Sequence, residues 1–378
     1  MKQFGQLVIS AAATGSLLIG ATTLHAAASV DDLTAFQQTN LVSNVNGQAA
    51  TIDPRLQNPW GAAWSPGGPL WTSDNNDGLS TLYTGAGTIV PFAVTIPPVG
   101  GAKTANPDGI VWNPNDMTDF IIPGAKVGAV FIFDGEDGSI TAWNPVAAPM
   151  VAGASMASLV VDNSATAVYK GLAYGTNTHG NFIFATNFRA ATVEAYNVNF
   201  KLITLDGSFT DPDIPAGFAP FGIANVDGDL FVTYAQQDAA KHDPVTGDGL
   251  GFVDVFSTDG VFIRRFASQG ALNAPWGVVR ATEGFGSAAG AILIGNFGNN
   301  GHFGGWINTF GSDGTPLGEL RSPQGQSISI DGLWSLYFGG FAGSDGDTLY
   351  FTAGPNNQMD GLIGKITAVS PAGTTALH

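Results

Sequence analysis

Residues 273–277 read NAPWG, just ahead of the apolar pair Val278–Val279. Related spellings stand at NPWG (58–61), NPDG (106–109) and APFG (219–222). A glycine followed by an apolar pair recurs in GAAW (61–64), GIVW (109–112), GLAY (171–174), GIAN (222–225) and GVVR (277–280). SLYF (335–338) is a sixth copy, with Ser335 in the glycine's place. The spacings are 48, 62, 51, 55 and 58 residues, a repeat of one structural unit.

An apolar run bounded by turn residues follows most copies: LWTSDN (70–75), NFIFATNF (181–188), DLFVTYA (229–235), AILIGNFG (291–298) and TLYFTAG (348–354). The second copy offers both DFII (119–122) and AVFIFDG (129–135). A third segment comes next, as in SITAWN, ATVEAYN and GFVDVFS, and several close on Asp-Gly turns such as STDG (257–260) and GSDG (311–314). Asp-Gly between apolar runs is a strong hairpin signal. The runs lack clean alternation, as strands covered on both faces do. Four antiparallel strands repeated six times predict an all-β, six-bladed propeller over residues 29–378, with blades starting near 61, 109, 171, 222, 277 and 335.

The last repeat ends in SPAGTTALH without a fourth strand, while TAFQQTNLVSNV (34–45) is an orphan strand before the first copy. This N-terminal stretch is expected to complete the final blade and close the ring, which removes the exposed edges of a linear array. In this frame NAPWG opens the innermost strand. Glycine allows close backbone approach and proline sets the strand's first residue. The aromatics Trp60, Phe221 and Trp276, with Trp334 in the last copy, read as wedges between blades. Trp60, Trp276 and Trp334 also read as a rim on which a ligand stacks.

Composition narrows the function. Residues 1–28 have Lys2, an apolar stretch and Ala26-Ala27-Ala28, the layout of a signal peptide. The chain is thus expected to be secreted or periplasmic in a bacterium, with no transmembrane helix. It has no cysteine, so a metal site would use oxygen or imidazole ligands. The net charge of −17, from 13 basic and 30 acidic residues, argues against nucleic acid and anionic membranes as partners. A monomer is expected, with a glycan, peptide or small molecule as its ligand.

In a propeller, the segments leading into the innermost strands and the turns joining second to third strands share one face. Asp74, Asn187 and Asn296 fall there and are candidate ligands for Ca²⁺, which takes several oxygens. Asn75, Gln236, Gln237 and Asp243 are candidate ligand-binding residues on the same face. The loop QQDAAKHDPVTGDGLG (236–251) gathers His242 and Asp238, candidate catalytic bases. No G-x-S-x-G, P-loop or H-E-x-x-H motif is present.

NPWG, TSDNNDGLSTLY (72–83), AVYKGLAYG (167–175), GSFTDPDIPAGFAPFGI (207–223), YAQQDAAKHD (234–243), IDGLW (330–334) and TAGP (352–355) together resemble an uncharacterised family of secreted bacterial six-bladed propellers. In general layout the chain is also similar to NHL-repeat and gluconolactonase-like propellers. The resemblance implies the fold and brings no activity. No glutamate stands before the first blade where the metal site of gluconolactonase-like enzymes expects one. Two functions follow: a secreted binding or scaffold module using the polar, aromatic-rimmed face, or a divalent-metal-dependent hydrolase or lactonase with its site on that face.

Overall fold

The computed structural model describes residues 35–298 and 304–371; the leader-like residues 1–28 lie outside them. Six sheets, each built on four antiparallel strands, form the blades of a propeller. From the axis outward, blade 1 is Pro59–Ala63, Leu70–Asp74, Leu79–Tyr83 and Ile89–Thr95. Blade 2 is Pro107–Trp112, Phe131–Gly135, Ser139–Trp143 and Ser158–Asp162. Blade 3 is Tyr169–Asn177, Gly180–Asn187, Thr192–Asn197 and Leu202–Ile203. Blade 4 is Phe218–Val226, Asp229–Gln237, Phe252–Phe256 and Phe262–Ser268. Blade 5 is Pro275–Arg280, Ile292–Asn296, Ile307–Phe310 and Pro316–Glu319. In blade 6, Leu333–Phe338, Leu349–Ala353 and Leu362–Val369 come from the end of the chain. Its fourth strand is Ala35–Ser43, which runs antiparallel to Leu362–Val369 from Ala35↔Val369 to Ser43↔Leu362. The N-terminal strand thus closes the ring, as its orphan position in the sequence implied.

In blade 2 the competition between two apolar runs goes to Phe131–Gly135. The earlier run lies in the loop before it, where Phe120 and Ile122 are buried and Ile121 bridges Gly128. Every residue of Leu70–Asp74, Ile292–Asn296 and Leu349–Ala353 is buried, which explains their lack of alternation. The core lies mainly in the seams between blades. Trp71 of blade 1, for instance, stacks on Phe131 of blade 2 at 4.4 Å. Among the described residues no helix is long and apolar enough to cross a membrane.

The register explains the repeat. Pro59 pairs with Asp74, but Ala62 pairs with Thr72, so the first strand carries one extra residue. The same three-against-two slip occurs between Pro107 and Ile110, Tyr169 and Leu172, Pro220 and Ile223, Pro275 and Val278, and Leu333 and Leu336. Each x-Gly pair of the repeat is therefore a β-bulge, a device that re-aims a side chain and interrupts the ladder. A Cβ on Gly61 would run into the carbonyl of Asp108, and one on Gly222 into that of Trp276. Glycine is thus required by the next blade's backbone. Ser335 solves the same contact differently, donating its hydroxyl to the Trp60 carbonyl at 2.8 Å where blade 6 meets blade 1.

A charged corner at the mouth of a plugged channel

The six bulged residues are Trp60, Asp108, Lys170, Phe221, Trp276 and Trp334, all buried. Four are aromatic and meet on the axis. Trp60 stacks on Trp334 at 3.5 Å, and Trp334 on Phe297 at 4.1 Å. Trp276 and Phe221 present edges to Trp60 at 6.2 and 6.3 Å, and Phe188 lies 5.5 Å from Phe221. The Trp334 indole donates to Asn58 Oδ1 at 3.0 Å and the Trp276 indole to the Lys170 carbonyl at 2.7 Å. Trp60, Trp276 and Trp334 therefore plug the channel instead of rimming it. They face each other and offer a ligand at the mouth no open stacking surface.

Blades 2 and 3 place Asp108 and Lys170 where the others place aromatics. The Lys170 ammonium is fully buried and sits 5.1 Å from the Trp60 ring centroid. It is ion-paired with Glu136 and lies 3.6 Å from Asp243 Oδ1. Asn75 Nδ2 donates to Asp108 Oδ1 at 2.8 Å and to Glu136 Oε2 at 3.3 Å, tying blade 1 to blade 2. Above them His242 Nδ1 and Asp243 Oδ1 are 2.9 Å apart. Glu136, His242 and Asp243 each offer a ligand atom, and these atoms lie within 4.8 Å of one another.

The electrostatics follow from burial and pairing. Burial pulls the Lys170 ammonium down, but the carboxylates of Glu136, Asp108 and Asp243 outweigh it and hold it above the ordinary lysine value. Burial, with Glu136 adding to it, pushes the Asp108 carboxyl well up. The His242 hydrogen bond, with help from Lys170, holds Asp243 at about 2 against some desolvation. The same hydrogen bond raises His242. Deeper in, Asp134 accepts the Gly109 amide at 2.6 Å, and burial lifts its carboxyl to about 7.

Of the residues singled out in the sequence, Asn75, His242 and Asp243 come together here. Asp238 does not act on the site: its Oδ1 accepts the His242 amide at 2.8 Å and the Asp243 amide at 3.3 Å, so it shapes the loop that carries them. Gln237 reaches the Phe188 carbonyl, and Gln236 pairs through its backbone with Val245. The structure commits Asp74, Asn187 and Asn296 to bonds away from the mouth. Asp74 accepts hydroxyls from Thr72 at 2.9 Å and Thr81 at 2.6 Å. Asn187 donates to Glu194 at 2.7 Å, and Asn296 donates to the Ala271 carbonyl at 2.7 Å. These three share one register position, paired with Pro59, Tyr169 and Pro275. Side chains alternate along a strand, so the next residue in each case faces the axis: Asn75, Phe188 and Phe297. The residues missed were Asp108, Glu136 and Lys170. Their signal was present: Asp108 and Lys170 occupy the x position of the repeat that aromatics fill elsewhere.

Six closed blades with a plugged channel and a charged mouth define a six-bladed β-propeller. No family model matches the chain. It belongs to a family with an uncharacterised protein of Acanthamoeba polyphaga mimivirus, to which it is 30% identical over 344 residues, spanning 88% of this chain and 80% of that one. That relative brings no activity, and being viral it does not support the bacterial, secreted lineage the sequence motifs suggested. Among solved structures the fold is similar to a streptogramin B lyase, with TM-score 0.50 and 12% identity over 90% of this chain and all of the other. It is also similar to the PQQ-bound aldose sugar dehydrogenase of Streptomyces coelicolor, with TM-score 0.50 and 15% identity over 88% of this chain and 98% of the other. At such identities these likenesses speak for the fold alone.

Proposed function

We propose that the protein is a ligand-binding propeller whose site is the charged corner at the channel mouth, and that its ligand is a small molecule bearing a carboxylate. The observation that carries this reading is Lys170: a buried ammonium, kept charged, with one counter-ion that solvent can replace. Glu136 is mostly covered, whereas the Asp243 side chain is 66% exposed and sits on a long loop. A ligand carboxylate that takes the place of Asp243 beside Lys170 conserves the local charge, so no buried ion is left unpaired. His242, 37% exposed and freed from Asp243, is then a second donor to it. The leader-like N-terminus supports a site of action outside the cytoplasm.

The test is calorimetric titration with a panel of small mono- and dicarboxylates, each beside its neutral amide. Binding is expected to tighten in Asp243→Ala and to vanish in Lys170→Met. Equal binding of acids and amides contradicts the reading.

A second reading rests on the Glu136, His242 and Asp243 triangle, whose mix of carboxylate and imidazole suits a divalent transition metal better than Ca²⁺. Such an ion would serve a hydrolase or lactonase and must compete with the Lys170 ammonium for the same oxygens. Stoichiometric metal in the purified protein, with a melting temperature that falls in EDTA, favours it over the carboxylate site.

A further inference from the structure

The far end of the channel differs from its mouth. Behind the plug, the innermost strands of all six blades line a cavity of about 210 Å³, with Trp276 on its wall. It opens into a second, shallower cavity of about 450 Å³ on the opposite face; the two share Ala62, Ile110, Val111 and Tyr174. Trp64, Trp112 and Tyr174, from blades 1, 2 and 3, line this opening and are only half-buried. They are propped in place. Trp64 rests on Tyr337 at 5.5 Å and Phe341 at 5.4 Å, and the Tyr174 hydroxyl accepts from Asn115 at 3.2 Å.

Among the described residues, no Asp, Glu, Lys, Arg or His lines either cavity. In a chain of net charge −17 this is a marked gap. A charged ligand would enter there without a counter-ion, which is costly in a concave site. The inner cavity is walled by the free edges of innermost strands, whose backbone groups offer hydrogen bonds without charge. Its volume exceeds the roughly 150 Å³ that suffices for a benzene-sized guest.

We infer that this funnel is a second binding site, independent of the charged corner, for a neutral molecule built on one or two planar aromatic rings. The ring stacks at the Trp64, Trp112 and Tyr174 opening, and an uncharged polar edge points into the channel towards the strand backbones. Nothing in this assignment rests on the carboxylate reading, since the aromatic plug separates the two sites.

The experiment uses the full chain, with benzamide and indole as neutral probes and benzoate as the charged match, followed by saturation-transfer NMR and calorimetry. Saturable binding of the neutral probes is expected, with benzoate about tenfold weaker or worse, as an uncompensated charge implies. Trp112→Ala is expected to weaken binding about threefold to tenfold, the range of one aromatic contact. Ala62→Phe, which fills the junction of the two cavities at a half-buried position, is expected to abolish it. Asp243→Ala is expected to leave it unchanged, which separates this site from the mouth. Unchanged melting temperatures in the two funnel variants exclude unfolding as the cause. Equal binding of benzoate, binding that survives Ala62→Phe in a folded protein, or binding of neutral sugars in preference to the aromatic probes overturns the assignment.

Discussion

The two ends of one channel are built from the same six strands and have opposite chemistry. At the mouth, a few residues from blades 1 to 4 hold Asp108, Glu136, Lys170, His242 and Asp243 within one hydrogen-bonded cluster. At the far end no Asp, Glu, Lys, Arg or His among the described residues lines the cavity. What separates them is the bulge. It turns one residue per blade onto the axis, and its identity decides what that blade contributes. Four blades contribute an aromatic and seal the channel. Two adjacent blades contribute an acid and a base, and the seal becomes a site. The lesson is that a structural device repeated six times can carry charge at two of its copies while the other four stay aromatic.

The comparison breaks most visibly at Lys170. Lys170→Met strands Glu136 without its partner, so a loss of about 3–5 kcal/mol is expected in chemical denaturation. Lys170→Met combined with Glu136→Gln is expected to recover much of that loss. If the double variant is no more stable than the single one, the lysine acts through packing and the corner is not electrostatic.

The bulge glycines come next. Gly222→Ala forces a Cβ against the Trp276 carbonyl, an overpacking with an expected cost of about 1–3 kcal/mol. Ser335→Ala removes one hydrogen bond to the Trp60 carbonyl, which Thr352 also reaches at 2.6 Å, so a cost of about 1 kcal/mol or less is expected. The reverse order of these two would mean that the ring is held at its seam and not by the glycine contacts.

The smallest effect is the pH response of the mouth. Asp243 is depressed to about 2, so its contribution is present above the ordinary aspartate value near 4 and is lost as pH falls towards 2. His242 is raised, so its contribution is present below about pH 6.5 and is lost as pH rises through its folded value. Both side chains are partly exposed, so solvent screening keeps the pair below about 1 kcal/mol. Melting temperature against pH should show a shallow decline on both sides, and Asp243→Asn should flatten it. Variants at Trp112 should leave the profile untouched.

The fold was legible because the repeat fixes it: a glycine and an apolar pair every 48 to 62 residues admits few architectures, and an orphan strand at one end answers a missing one at the other. The site was legible only in part. His242 and Asp243 stood out as ionisable groups in a long loop of a chain poor in charge. Asp108 and Lys170 were hidden because a bulge cannot be seen as a pattern of period two, and without it their side chains belong to a blade interior. Asp74, Asn187 and Asn296 erred for the same reason by one residue: they share the right turn, but alternation turns them away from the axis and Asn75 towards it.

Lys170 is proposed as the binding centre of the mouth, with Asp243 as its resident stand-in. Titrating succinate into the wild-type, Asp243→Ala and Lys170→Met proteins tests it most directly. Tighter binding in the first variant than in the wild type, and none in the second, is expected. Binding that is weakened by Asp243→Ala and retained by Lys170→Met would contradict it.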